Sequence, residues 1–219
     1  MSRYFTKTLA SLEPYTPGEQ LKIADIVKLN ANENPYPPAP GVAAAVAAAV
    51  PGLRLYSDLT NGDLNAAIAR HWGVRPENIL CGNGSDENLL LALRAFCDEN
   101  TPLAFADVTY SFYTVLCDLL HIPQHVIPLE SGLTIDLKEY CGLHETIVIA
   151  NPNAPTSLLA PVDAIEEVLK TNPDNIVIVD ETYVEFAPAG SSCLPLLETY
   201  DNLVITHTFS KTHNLAGAR

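Results

Sequence analysis

Short runs of apolar, mostly β-branched residues, separated by stretches with helical spacing, limit the possible folds of this chain more than any other feature. Each run is continuous rather than alternating, which is typical of strands that are buried on both faces of a parallel sheet. The runs are PLAFA, TIVIA, NIVIVD and NLVIT, at 102–106, 146–150, 175–180 and 202–206. They predict an α/β protein in which helices flank a mostly parallel sheet, an α/β/α sandwich.

The segments between these runs fit the same plan. We expect helices at 41–50 and 63–73, and a further helix in NGSDENLLLALRAFCD that follows a short strand, NILCG, and a glycine turn. VDAIEEVLK predicts another helix. Residues 1–40 are expected to form an irregular N-terminal arm that ends in a proline-rich, extended stretch, and residues 41–219 to form one large domain.

Charge and cysteine content exclude several classes of protein. The chain carries 26 acidic and 12 basic residues, a net charge of -14, which argues against a nucleic-acid partner. Five cysteines without a CxxC pair favour reduced thiols over disulfides or a zinc site, so no metal is expected. The N-terminus lacks an apolar signal core and GVAAAVAAAV is too short to span a bilayer, so we expect a cytoplasmic protein that does not bind membranes.

Polar side chains follow several of the predicted strands, where ligands bind in parallel sheets. Asp180 ends NIVIVD, and Thr208, Ser210 and Lys211 follow NLVIT. The turn at 82–85, Gly-Asn-Gly-Ser, follows NIL and precedes a helix. We expect these groups to converge on one crevice.

Taken singly, each of these groups has an ordinary explanation. Lys211 could be a surface charge, an ion-pair partner or an amine that forms a Schiff base, and Asp180 could cap a helix. Thr208 and Ser210 are common turn residues. Glycine turns before helices are also common, although their N–H groups favour an anion.

Taken together, the groups match the parts of one cofactor, pyridoxal phosphate. The glycine turn, the two hydroxyls and Arg219 suit a phosphate, and Lys211 suits an aldehyde. Asp180 suits a ring nitrogen that must stay protonated. Tyr183 suits a phenolic oxygen, and Tyr110 in VTYSFY suits a planar ring face.

Two segments, DETYVEF and THTFSKTHNLAGAR, resemble the cofactor core of the fold-type I aminotransferases. With LNANENPYPP, LYSDLTNGDLNAAIARHWGV and GNGSDENLLLALRAFCD, the resemblance narrows to the histidinol-phosphate aminotransferase family, and it runs from about Pro14 to Arg219. It implies the pyridoxal phosphate-dependent transferase fold of type I. It also implies transfer of an amino group from histidinol phosphate to 2-oxoglutarate, in histidine biosynthesis, by a homodimer with shared active sites.

The resemblance also implies roles for single residues. Lys211 would bind the aldehyde and carry a proton, Asp180 would pair with the ring nitrogen, and Tyr183 would donate to the phenolate oxygen. Tyr110 would stack on the ring. The residues that would bind the phosphate are Gly84, Ser85, Asp86, Thr208, Ser210 and Arg219.

Two further tyrosines are similar to residues that the family uses across its dimer. Tyr56 in LYSD resembles the tyrosine that reaches the phosphate of a neighbouring subunit, and Tyr15 in EPY resembles one that approaches the phosphate of the substrate. For both tyrosines, ordinary packing is the alternative.

The chain departs from the family at two points that matter. Its NPNAPTS has Ala154 where the family has an asparagine that touches the phenolate oxygen, so Tyr183 would act alone or Asn153 would shift to help. Family members also continue past the arginine of this motif into a small C-terminal domain, so we expect a truncated chain. Three alternatives to this function stay open. They are another aminotransferase, for example for aromatic amino acids, a related phosphothreonine decarboxylase, and a non-catalytic remnant.

Overall fold

Five strands form one parallel sheet in the computed structural model, which describes residues 3–13, 18, 19, 21, 23 and 25–218. The order of the strands is β2-β1-β3-β4-β5, and every neighbouring pair is parallel. Their bounds are β1 Leu103–Ala106, β2 Gln124–Ile127, β3 Thr146–Ala150, β4 Val177–Asp180 and β5 Leu203–Thr206.

Helices connect and flank the strands. The α-helices are α1 Lys7–Ser11, α2 Val42–Ala49, α3 Gly62–Trp72, α4 Ser85–Phe96, α5 Phe112–Leu120 and α6 Val162–Thr171. Short 3-10 turns lie at Val50–Arg54, Pro76–Asn78, Leu137–Tyr140, Val184–Phe186 and Leu194–Glu198. Helix α3 ends where predicted, because Gly73 adopts a φ of 71° and its N–H bonds to the carbonyl of Ala69.

Alternate residues of each central strand pack on opposite faces of the sheet. On one face, Ile147 and Ile149 of β3 belong to a buried cluster with Ile165 and Leu169 of α6. On the other face, Val148 of β3 belongs to a cluster that also contains side chains of α4 and α5. Because both faces are covered, the continuous apolar runs are explained, and the predicted α/β/α arrangement is confirmed.

Four of the predicted strands and all four predicted helices are confirmed, but the predicted strand NILCG is wrong. Residues 79–82 have no regular structure, and Leu80 is 71% exposed. A strand needs a hydrogen-bonded neighbour, and within the described residues the sheet ends at β5. The sequence interpretation also missed β2, α5 and the short helix α1 within the expected irregular arm.

Two other properties complete the fold. Within the described residues, every helix is too short or too polar to cross a membrane. All five cysteines have free thiols. Cys117 and Cys193 are fully buried, and burial raises the pKa of each thiol to about 12.

Candidate functional site

Asp180 lies at the carboxyl end of β4, opposite Ala150 of β3 and Thr206 of β5. It is only 5% exposed. The Tyr113 hydroxyl donates to its Oδ2 at 2.8 Å, and the Thr182 backbone N–H and hydroxyl donate to its Oδ1 at 3.2 and 2.7 Å. Three donors therefore hold a buried carboxylate in one orientation.

Tyr113 reaches Asp180 from α5 and is fully buried. Burial first, and then the charge of Asp180, raise the pKa of the Tyr113 hydroxyl well above its usual value. Tyr113 therefore stays protonated and acts as the donor of this hydrogen bond. The sequence interpretation did not identify Tyr113, because its sequence position gives no sign that α5 faces the end of β4.

Lys211 follows β5 and is held beside a segment of the N-terminal arm. Its Nζ donates to the carbonyl of Ala31 at 3.3 Å, and its own carbonyl accepts from Asn34 Nδ2 at 3.1 Å. The intervening Asn32 donates from Nδ2 to the Tyr183 hydroxyl at 2.9 Å. Because consecutive residues contact Lys211 and Tyr183, these two predicted site residues lie near one another.

Thr208 and Ser210 form a compact hydroxyl turn just before Lys211. The Thr208 hydroxyl donates to Ser210 Oγ at 3.0 Å, and the Ser210 backbone N–H donates to Thr208 Oγ1 at 3.1 Å. The two side chains are half-buried. The turn thus brings together the pair of hydroxyls that the sequence predicted for an anion.

The N-terminus of α4 begins at Gly84, which has a φ of 83° and a ψ of 175°. Almost only glycine adopts this conformation. The N-cap residue, Gly84, has no side chain that could accept a hydrogen bond. The first N–H groups of α4, which include those of Ser85 and Asp86, therefore lack a capping acceptor from it. The Gly84 N–H differs, because it bonds to the carbonyl of Gly82 at 2.9 Å.

An acidic side chain already contacts this glycine turn. The Glu87 carboxylate accepts from the Asn83 backbone N–H at 2.6 Å and from its side chain at 3.3 Å, and these bonds lower the pKa of Glu87. The turn therefore stabilises negative charge, as its position at a helix N-terminus predicts.

Tyr110 connects the N-terminus of α4 with the buried carboxylate of Asp180 through Tyr113. Its hydroxyl donates to Asp86 Oδ1 at 3.0 Å, and its ring lies edge-on to Tyr113 with 5.6 Å between the ring centres. Tyr113 in turn bonds to Asp180. Asp86 of α4, Tyr110 just before α5 and Asp180 of β4 are thus parts of one connected group.

Asn153 is buried, and its side chain bonds to its own loop and to the segment that follows β1. Its Nδ2 donates to the carbonyl of Val108 at 2.9 Å and to Thr156 Oγ1 at 3.1 Å, and its Oδ1 accepts from Thr109 at 2.7 Å. Asn153 could therefore help at a phenolate oxygen only by giving up some of these bonds. Asn32, which the sequence interpretation did not single out, donates from Nδ2 to the Tyr183 hydroxyl.

A second buried acid, Glu181, lies directly after Asp180. It accepts from Ser192 Oγ and from the Cys193 N–H, each at 2.6 Å. His207 Nε2 lies 3.1 Å from Glu181 Oε2, although the angle is not that of a hydrogen bond. The Glu181 side chain thus bonds to the segment at 191–194 and connects that segment to the end of β4.

A groove of about 600 Å³ borders the site on the outer side of β5. Apolar side chains such as Ile68, Trp72 and Leu91 line it, together with the segment at 79–84 and the residues of β5. Thr208 and Ser210 belong to both the groove and the site, whereas Asp180 and Lys211 do not line it.

For three predicted site residues, the described part of the chain shows no contact with this group. Tyr56 is fully exposed, at 103% of its reference surface, so within this chain it contributes nothing to the site. Tyr15 and Arg219 lie outside the described residues. The roles assigned to all three stay predictions.

Comparisons with known proteins show which proteins the chain resembles. A family model for class I and II aminotransferases matches residues 24–219. The chain is 45% identical to histidinol-phosphate aminotransferase 2 of Dechloromonas aromatica and 45% identical to histidinol-phosphate aminotransferase 1 of Bradyrhizobium diazoefficiens. Each alignment covers 100% of this chain and 62% of the relative, so the chain spans less than two thirds of their length.

A solved structure supports the same relationship. The crystal structure of histidinol-phosphate aminotransferase from Sinorhizobium meliloti, in complex with pyridoxal-5'-phosphate, matches with a TM-score of 0.84 and 26% identity. The match covers 100% of this chain and 62% of that chain. This likeness confirms the fold class that the strand pattern predicted.

Proposed function

The chain belongs to the class I and II aminotransferase family, and from that premise we propose that the protein is a pyridoxal phosphate-dependent aminotransferase. Its substrates are histidinol phosphate and 2-oxoglutarate, and its products are imidazole acetol phosphate and glutamate. The observation that carries the proposal is the pair formed by buried Asp180, at the end of β4, and Lys211, just past the adjacent β5. Relatives 45% identical that bear the name histidinol-phosphate aminotransferase support the choice of substrate.

The groups at this edge of the sheet fit three of the polar parts of pyridoxal phosphate, namely the aldehyde, the ring nitrogen and the phosphate. Lys211 supplies a primary amine for the aldehyde, and Asp180 supplies a buried carboxylate for the ring nitrogen. The hydroxyls of Thr208 and Ser210, with the uncapped start of α4, supply donors for the phosphate. We assign Arg219 to the phosphate as well, on the resemblance of its motif.

Bound pyridoxal phosphate would supply the electron sink that transamination requires. The protein's own contribution is to hold and move protons near it. Lys211, half-buried and directed by the carbonyl of Ala31, acts as the base and acid that moves a proton at the substrate's Cα.

Asp180 acts by its negative charge. The Tyr113 hydroxyl and the two donors of Thr182 hold the carboxylate in one orientation, and its charge would keep a ring nitrogen beside it protonated. Tyr183, whose hydroxyl accepts from Asn32, would donate to the phenolic oxygen of the cofactor, and the ring of Tyr110 would cover the face of the pyridine.

We also propose a homodimer with shared sites. Tyr56 is fully exposed and lies among exposed apolar side chains, Leu53, Leu55 and Leu59, which favours a protein partner at this surface. In the dimer Tyr56 would reach the cofactor phosphate of the partner subunit, and Tyr15 would approach the phosphate of the substrate. Sedimentation velocity would test the dimer. The free thiols support a cytoplasmic location.

The choice of substrate is tested by single-turnover kinetics of the protein loaded with pyridoxal phosphate. We expect histidinol phosphate to convert the cofactor faster than phenylalanine or tyrosine does, at equal concentration. A faster reaction with an aromatic amino acid would replace the proposed substrate and leave the aminotransferase activity intact. Because the chain spans only 62% of these relatives, activity of residues 1–219 alone is doubtful, and the assay uses the protein with any sequence that its gene encodes after Arg219. No reaction of that protein with any amino donor would contradict the activity itself.

The role of Asp180 is tested in the same assay. Asp180→Ala removes the charge that holds the ring proton, so we expect the rate to fall on the order of a thousand-fold while cofactor binding persists. Asp174→Ala, at an exposed position, is the matched control and should leave the rate unchanged. Near-normal turnover of Asp180→Ala would contradict the proposed electrostatic role.

A further inference from the structure

Three side chains from separate elements converge on one spot behind the Lys211 loop. They are His71 in the last turn of α3, Glu185 in the turn Val184–Phe186, and His213 two residues past Lys211. One ligand atom from each lies within 4.8 Å of the other two. They lie far apart in the sequence, so no spacing motif connects them.

One pair already has the spacing of two ligands on one ion. His213 Nδ1 lies 3.5 Å from Glu185 Oε2. Ligand atoms at about 2.0–2.1 Å from a tetrahedral zinc ion lie roughly 3.3–3.4 Å from each other. A zinc ion between His213 and Glu185 would therefore require little change in either side chain.

Contacts within the loop hold these two ligands in place. The Thr212 hydroxyl bonds to the Glu185 carboxylate and lies 3.1 Å from His213 Nδ1. The His213 ring packs edge-on against Phe209, with 5.0 Å between the ring centres. The two ligands are therefore oriented before any ion binds, which lowers the entropy cost of binding.

His71 completes the set from the other side. Its ring faces the edge of His213, with 6.0 Å between the ring centres. Because His71 is exposed at the end of α3, rotation of its side chain brings a ring nitrogen into ligand distance at little cost. Two imidazoles and one carboxylate then leave a fourth position for water.

We propose that His71, Glu185 and His213 bind a divalent transition ion of the zinc class. Imidazole with carboxylate suits Zn²⁺ or Co²⁺, whereas Ca²⁺ and Mg²⁺ prefer oxygen ligands alone. The bound ion connects α3, the turn after β4 and the loop after β5. Since His213 lies two residues from Lys211, the ion restrains the loop that carries Lys211.

The proposal is tested with all 219 residues of the chain, by calorimetry with Zn²⁺ and by visible absorbance with Co²⁺. We expect one equivalent of Zn²⁺ to bind at micromolar protein, and Co²⁺ to give the intense bands of a four-coordinate ion. Saturation with Zn²⁺ should raise the melting temperature by roughly 5–10 °C at a hundredfold excess over the dissociation constant.

Single replacements distinguish this site from adventitious binding. His71→Asn, His213→Asn and Glu185→Gln should each weaken Zn²⁺ binding by at least about tenfold, since loss of even an outer-sphere partner has an effect of that size. His144→Asn, at an exposed histidine outside the cluster, is the matched control, and Cys81→Ser controls for a thiol ligand. Both controls should bind as the parent does.

Two results would overturn the proposal. One is the absence of a Zn²⁺ or Co²⁺ isotherm with the parent chain. The other is equal Zn²⁺ affinity in the parent and in the His71→Asn/His213→Asn double variant, which would assign the ion to another part of the chain. Circular dichroism of each variant verifies that it is folded.

Discussion

Replacing Tyr113 with phenylalanine removes one hydroxyl from the most buried part of the candidate site. That hydroxyl donates to Asp180 Oδ2 at 2.8 Å, and the Tyr113 side chain is fully buried. The ring itself stays and keeps its packing in the cluster of α4 and α5. The change therefore isolates one hydrogen bond to a buried charge.

The expected loss follows from that geometry. A hydrogen bond to a charged group contributes about 1.5–3 kcal/mol to folding, and Asp180 is only 5% exposed, so water cannot replace the donor. For a chain of this size, about 2–4 °C of melting temperature corresponds to 1 kcal/mol. Tyr113→Phe should thus lower the melting temperature by roughly 3–12 °C.

Urea unfolding of the Tyr113→Phe and Tyr200→Phe variants is the decisive assay. The Tyr200 hydroxyl also donates to a carboxylate, Glu166, at 2.7 Å, but that pair lies at the half-exposed surface. Tyr200→Phe should therefore cost clearly less than Tyr113→Phe. A double-mutant cycle with Asp180→Asn should show coupling between Tyr113 and Asp180.

Equal losses in the two phenylalanine variants would refute this reasoning. They would mean that burial does not strengthen the Tyr113–Asp180 bond, and that the carboxylate keeps its orientation without it. A double-mutant cycle that shows no coupling between Tyr113 and Asp180 would have the same meaning.

Two further predictions concern the backbone and the thiols. Gly84→Ala should lower the free energy of unfolding by about 1–3 kcal/mol, because alanine rarely adopts a φ of 83° with a ψ of 175°. Gly52→Ala is the control and should not lower it, since a Cβ added there meets open space. Urea unfolding measures both variants. Burial raises the pKa of Cys117 and Cys193 to about 12, so both thiols keep their protons in the folded chain and lose them above about pH 9 when it unfolds. Stability should therefore fall as pH rises from about 9 toward 12, by about 1.4 kcal/mol per pH unit for each thiol, and Cys193→Ala should reduce the slope.

The sheet could be predicted because its central strands carry their own signal. The runs that became β3 and β4 are apolar throughout, since both faces are covered, and few other structures require that pattern. The edge strand β2 is only half-buried and lies between two prolines, so its four residues gave too little pattern. NILCG has the composition of a strand, but pairing depends on a neighbour that its own residues do not specify.

The candidate site was predictable only in part. Asp180 ends β4, and Thr208, Ser210 and Lys211 follow β5 within a few residues, so the topology of a parallel sheet brings them to one edge. Partners that arrive from distant segments could not be foreseen: Tyr113 depends on the rotation of α5, and Asn32 on the path of the arm. The cluster of His71, Glu185 and His213 could not be predicted either, because its members also come from distant segments.

The central claim, that Lys211 is the amine that binds pyridoxal phosphate, has one direct test. The protein is incubated with pyridoxal phosphate, reduced with borohydride, digested and mapped by mass spectrometry. We predict that the reduced cofactor is attached to Lys211, and that Lys211→Ala abolishes the labelling while Lys170→Ala leaves it intact. Attachment to Lys170 or Lys138 in the parent protein would contradict the account.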